Sequence, residues 1–220
     1  MLYKVLNEDG TPCHGGSGQW ALPAYGKPGA WMPRLTGTLI PCQYGYHLCE
    51  RGDLVHWLGP TIWEAETEAM EPLRDGNKSV VASARLLRKL ETWNRRTQRL
   101  FAADCAERAL ERERAAGREP HPDSWRAIAV ARQFANGDAT PQELAAAAAN
   151  AVHAAAYANA AANAAANAVH AAANAAAYAA TAAYAAYDAA YDAAHAAYAA
   201  DATERQWQTK RLWEYLDGGR

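Results

Sequence analysis

The chain has 220 residues, 50% hydrophobic and 21% charged, enough for one sizeable core or two small ones, so disorder is excluded as the default. Lys plus Arg is 22 against 24 for Asp plus Glu, and a net charge of −2 exerts no overall pull toward nucleic acid or an anionic membrane. Met1 to Gly10 has neither a basic nor an apolar leader segment, and Asn, His, Tyr and Asp interrupt the long alanine run, so a soluble cytoplasmic protein without membrane contact is expected.

The hydrophobic residues are unevenly placed. Most are alanines between Ala145 and Ala202, while Phe occurs twice, which indicates two kinds of protein joined in one chain. The expected class is α+β. A small β-containing domain over residues 1–92 precedes an alanine-rich helical domain over 93–220, built of closely packed helices or one long helix.

In chain order, Leu2 to Leu6 reads as a strand entering a turn, because Asp9-Gly10 supplies the positive φ of a tight reversal. Leu35 to Pro41, Thr61 to Glu66 and Lys78 to Leu87 are further short strands of a small mixed sheet. Past Trp93 the hydrophobic period becomes helical. Asn94 caps a helix through Phe101, Cys105 and Leu110 that stops at Gly117, and a second begins after Asp123 and ends at Gly137. Thr140-Pro141-Gln142-Glu143 combines a hydroxyl cap, Pro at the first helical position and Glu at the third, a capping box that starts a third helix.

From Leu144 to Ala202 there is neither Gly nor Pro, and propensity favours uninterrupted helix. Continued to Leu216 it would run roughly 110 Å, against a radius of gyration of about 17 Å for a globule of this size. It therefore either projects or folds back. At helical spacing Asn159, Asn163, Asn167, His170, Asn174, Thr181, Asp188 and Asp192 share a sector, and Tyr184, Tyr187, Tyr191, His195 and Tyr198 form the adjoining stripe, whose tyrosines Tyr184, Tyr187, Tyr191 and Tyr198 are candidate partner-binding residues. Opposite them, Ala161 to Ala197 presents a ridge of methyl groups suited to close helix packing. Ala151-Val152-His153 recurs as Ala168-Val169-His170, an imperfect repeat.

Two clusters carry potential chemistry. Cys13, Cys42, His47 and Cys49 are soft ligands in one small domain and could make a tetrahedral zinc site, although their spacing is not a standard one. The competing readings are buried thiols, or a reactive Cys49 or Cys13 with His47 or His14 as base and Glu50, Glu64 or Glu66 as orienting acid. Glu64 to Glu71 otherwise reads as a solvated acidic stretch. Arg88, Lys89, Arg95, Arg96 and Arg99, interleaved with Trp93, could grip a phosphate backbone, but the alternating charges from Glu107 to Arg114 are those of an ordinary solvated helix, and nucleic acid is not expected as a partner.

Phe101 to Leu110, Asp123-Ser124-Trp125-Arg126-Ala127-Ile128, Ala131-Arg132 through Gly137 and the alanine tract that follows together resemble immunity proteins of bacterial polymorphic-toxin systems. The sequence departs from that pattern at Ser124-Trp125, where a basic residue and proline are more usual. Cys13 and Cys42-x2-Gly45-Tyr46-His47-x-Cys49-Glu50 look like a small Cys/His domain of phage and actinobacterial proteins. Neither resemblance implies an established catalytic set. They imply a non-enzymatic binding protein of immunity or phage-accessory type, holding another protein or a second copy through its helical surface. The alternatives are a transferase or hydrolase centred on His47, Cys49 and Glu50, and a self-assembling structural protein.

Overall fold

Leu2–Leu6 forms strand β1, whose alternating side chains send Tyr3 and Val5 to one face of a sheet and Leu6 to the other. Tyr46–Glu50 (β2), Thr61–Glu66 (β3), Leu73–Asp75 (β4), Lys78–Val81 (β5) and Arg85–Lys89 (β6) complete a six-stranded antiparallel sheet in the order β4-β5-β2-β1-β3-β6. The computed structural model describes residues 1–69, 71–157 and 202–218. The class is α+β, with four helices among the described residues. Two compact units divide the chain, Met1–Trp93 and Asn94–Arg220.

In the first unit one sheet face buries Leu6, Leu48, Trp63, Ala65, Val81 and Leu86 beneath Trp20. Three expectations need correction here. Leu35 to Pro41 is not a strand: the backbone leading into it is held through the amides of Gly29, Met32 and Leu35, which donate to Leu86, Ala84 and Ala82, every third residue against every second. A ladder cannot have that spacing, and Pro33 lacks an amide altogether. Gly29 is also pressed so close to the Ala21 carbonyl that a Cβ would lie 2.0 Å from its oxygen. Lys78 to Leu87 is two strands, β5 and β6, separated at Ala82 to Ala84. The acidic stretch is not simply solvated, because Glu64 is buried in β3 and takes two hydrogen bonds from Arg88 of β6, while Arg85 pairs with Glu66.

The second unit starts at Asn94, whose side chain accepts from the amides of Arg96 and Thr97 while Thr97 answers the Asn94 amide, and helix α1 runs Arg95–Ala115. Helix α2, Pro122–Asn136, begins one residue before Asp123 rather than after it, since the His121 imidazole caps the Asp123 amide and Pro122 takes the first helical position. Gly137 ends it in the left-handed region at φ 86°, with Asp138 donating back to Gln133. Thr140 and Glu143 exchange the expected reciprocal bonds, and α3 runs Pro141–Tyr157.

Within α3, Leu144, Ala147, Ala148 and Ala151 are buried and Ala145, Ala146 and Ala149 exposed, one stripe at helical period. Leu144 and Ala148 pack on Ala131 of α2, and Ala151 joins Ala103, Ala106 and Leu110 of α1 with Ile128 of α2. Helix α4, Ala202–Leu216, also packs against α1. A straight helix would hold Ala151 and Arg211 roughly 90 Å apart, whereas α1, on which both anchor, is about 31 Å long. Helices α3 and α4 are therefore not two stretches of one straight rod. The tyrosine stripe Tyr184, Tyr187, Tyr191 and Tyr198, the polar sector from Asn159 to Asp192, the ridge from Ala161 to Ala197 and the second copy of the repeat lie outside the described residues. Among the described residues no helix is long and apolar enough to cross a membrane.

Candidate functional site

The sheet of the first unit is split at its centre. Strand β1 pairs with β3 along its whole length, from Leu2 with Ala65 to Leu6 with Thr61, and β2 pairs with β5 as far as Tyr46 with Val81. Between β1 and β2 themselves the ladder holds only at Leu2 with Glu50 and Tyr3 with Cys49. Beyond that point the Lys4 ammonium stands in for backbone pairing, donating to the His47 carbonyl at 3.0 Å and lying 5.2 Å from the Trp20 ring centre.

A pocket of about 270 Å³ opens at this split. Its walls come from Tyr3, Lys4 and Val5 of β1, His47, Leu48 and Cys49 of β2, Cys13 to Gly16 of the loop after β1, Cys42, Trp57 and Lys78. The structure thus brings all four proposed zinc ligands, Cys13, Cys42, His47 and Cys49, to one cavity together with His14. Period-two alternation explains the choice: Tyr46 and Leu48 pack with the core cluster, which turns His47 and Cys49 to the opposite face. Gly45 permits the approach, with φ at 146° and Val80 Cγ1 only 2.2 Å from where a Cβ would stand. Cys42 takes φ of 62°, unusual for a residue with a side chain, and thereby aims its amide at His47 Nε2, 2.9 Å away.

These side chains are already engaged. His47 Nε2 accepts from Cys42, and a second bond joins the ring to the Gly45 backbone. His14 Nε2 lies 3.0 Å from the Trp57 carbonyl and so carries the proton that it donates there; its ring meets the Trp57 indole edge to face at 5.6 Å. Cys49 is buried, with Sγ 3.7 Å from the Tyr3 carbonyl. Burial pushes the Cys13 thiol up to about 11 and the Cys49 thiol up to about 12. Desolvation holds both His14 and His47 below the ordinary imidazole value, and the Lys4 charge adds to the effect. At neutral pH the Cys13 and Cys49 thiols and the two imidazole rings are therefore uncharged. Among the described residues no three His, Cys, Asp or Glu side chains stand together as a metal-ligand group. In this arrangement His47 Nε2 accepts from the Cys42 amide, a bond that would have to break before that nitrogen could ligate zinc.

Glu50 does not line the pocket; it is exposed and lies 3.4 Å from Arg74, which also bonds Asp53 at 2.5 Å. The Cys49, His47 and Glu50 set thus lacks its acid at the cavity. The basic cluster is spread along two elements, β6 and α1, and Arg88, Lys89, Arg96 and Arg99 are engaged by neighbouring groups. Arg88 is bound to Glu64 and Lys89 lies 4.0 Å from Glu91, while Arg96 bonds Asn136 and Arg99 stacks 4.8 Å above the Phe134 ring. Arg95 heads α1.

Lys4, Trp57 and Lys78 belong to the pocket and were not legible as site residues. The one available signal is Lys4 itself, a cation inside an otherwise apolar strand. The second unit has a shallower charged groove between α1 and α4, lined by Glu107, Arg108, Glu111, Trp207, Lys210 and Glu214, among others. No protein family, curated protein or solved structure matches the chain.

Proposed function

We propose that the chain is a binding protein in two parts, a small sheet domain that receives a small molecule in the split between β1 and β2, and an alanine-rich helical domain that holds a protein partner. The observation that carries the first part is the pocket, which gathers Lys4, Lys78, Trp57 and protonated thiols while its two imidazoles are bonded to backbone groups. A thiol pushed up to about 11 or 12 is a poor nucleophile, and with Glu50 outside the cavity the transferase or hydrolase reading has less support than binding.

The second part rests on sequence periodicity and on the resemblance to immunity proteins. A stripe of Tyr184, Tyr187, Tyr191 and Tyr198 offers rigid amphipathic rings, the side-chain type enriched where proteins meet. The partner is another protein or a second copy, and the role is of immunity or phage-accessory type; self-assembly is the extreme case in which the partner is always a copy. Zinc has no part in this reading, and neither membrane nor nucleic acid is a partner.

Native mass spectrometry of the intact chain, taken from its producing cells without denaturation, tests both parts. A small molecule that is retained and released unchanged, together with a complex lost in Tyr187→Ala/Tyr191→Ala, is the expected result. Conversion of the retained molecule on incubation with a trace of protein would make the chain an enzyme and overturn the proposal.

A further inference from the structure

The split in the sheet also constrains what enters it. Two ammonium groups, Lys4 and Lys78, line the cavity, and among the described residues no carboxylate does. Asp75 pairs with Lys78 at 3.0 Å across their hairpin without lining the cavity, and Asp53 is bound by Arg74. Among the described residues no carboxylate stands within ion-pair distance of Lys4, which meets the His47 carbonyl and the Trp20 face. The two ammonium groups can donate to a guest, while His14 Nε2 donates to the Trp57 carbonyl and His47 Nε2 accepts from the Cys42 amide.

Part of the wall is apolar. Tyr3, Val5 and Trp57 contribute to the lining, and Lys78 Nζ lies 5.8 Å from the centre of the Trp57 ring. The volume corresponds to on the order of nine water molecules, which suits a compact guest and falls just below the usual range for drug-sized ligands.

Resting on the binding reading above, we propose that the pocket takes a small organic anion, a carboxylate on a flat apolar body, with its charge at Lys4 and Lys78 and its body against Trp57. A cation would meet two like charges there. A neutral guest would leave the Lys4 ammonium, which has no carboxylate beside it among the described residues, uncompensated in partly desolvated surroundings.

Benzoate, benzyl alcohol and benzylammonium share one ring and differ in charge, and each is titrated into the full chain while the imidazole C–H resonance of His14, assigned through His14→Gln, is followed by NMR. Benzoate is expected to shift His14 saturably and to bind at least about tenfold more tightly than benzyl alcohol, a difference of about 1.4 kcal/mol. Lys78→Met and Lys4→Met should each weaken benzoate by about the same factor. Lys78 sits at a hairpin edge, so its variant keeps the test alive if the Lys4 variant fails to fold. Benzyl alcohol or benzylammonium binding as well as benzoate, or benzoate unaffected by Lys78→Met, overturns the anion assignment and leaves small-molecule binding standing. No response to any of the three removes both.

Discussion

Arg211 of α4 donates its Nε to Oδ2 of Asp104 in α1 at 2.7 Å, a contact that joins residues 107 positions apart. Asp104 is buried, and it also receives Arg132 of α2 at 2.7 Å and the Tyr215 hydroxyl at 2.6 Å. One carboxylate thus ties three helices, and Glu204 repeats the device with Arg108 at 2.7 Å and Arg112 at 3.2 Å. Burying a carboxylate is expensive unless every lone pair is used, which is why the cations converge here.

Replacing Asp104 by alanine should lower stability by about 3 kcal/mol, toward the low end for breaking a buried ion pair because Arg132 and Arg211 keep some solvent. Asp104→Ala/Arg211→Met should cost less than the sum of its single changes. Urea midpoints of the four proteins form the cycle. Strict additivity would show that the two residues act independently.

Ala151 is fully buried against α1 and α2, whereas Ala149 on the same helix is exposed. Ala151→Leu should cost about 1–3 kcal/mol by overpacking, and Ala149→Leu less than about 0.5 kcal/mol. Equal melting temperatures for the two variants would mean that the stripe Leu144, Ala147, Ala148 and Ala151 does not face the core.

None of the four cysteines is in a disulfide, and they differ in access: Cys42 is exposed, Cys13 half-buried, Cys49 and Cys105 buried. Iodoacetamide at pH 7.5 should modify Cys42 first. Cys13 should follow slowly, at a rate that climbs with pH toward about 11, where its thiol ionises. Cys49 and Cys105 should react only in denaturant, and peptide mass spectrometry after timed quenching reads the order. Early labelling of Cys49 would contradict its burial.

His14 and His47 are held below the ordinary imidazole value by desolvation first, so the unfolded chain binds their protons more readily than the folded one. The sign follows: stability is full above the unfolded value near 6.5 and falls as pH drops from there toward the lower folded values, where the dependence levels off. Around His47 stand Lys4 and Lys78, which oppose its protonation, and Asp75, which favours it. Denaturant midpoints between pH 7.5 and 4.5 should show this slope, and His47→Gln should reduce it. An unchanged slope in His14→Gln/His47→Gln would assign the acid sensitivity to other groups.

Protein purified without chelator should carry less than about one-tenth equivalent of zinc, since a closed structural site would keep its metal through purification. Elemental analysis reads this directly. One equivalent of zinc, lost on replacing Cys13 or Cys42, would restore the four-ligand reading of the pocket.

Helix boundaries were legible because capping is local chemistry. Asn94, Gly137 and the Thr140 to Glu143 box each act within a few residues of themselves, so the order of residues alone specifies them. Strands Leu2–Leu6 and Thr61–Glu66 were legible for a similar reason, each showing its β character in a short run. Strand β2 was not, because Tyr46–Glu50 draws attention as a ligand cluster while its alternation, Tyr46 and Leu48 inward, His47 and Cys49 to the other side, has meaning only against a neighbouring strand. Only the tertiary structure decided that β1 and β2 part after Tyr3 and Cys49, and that Lys4 fills the gap beside thiols far away in sequence. It also decided that α4 comes back to α1. Both depend on non-local pairing, where a carbonyl or a carboxylate is satisfied by whichever donor the folded chain delivers, and no local pattern encodes that delivery.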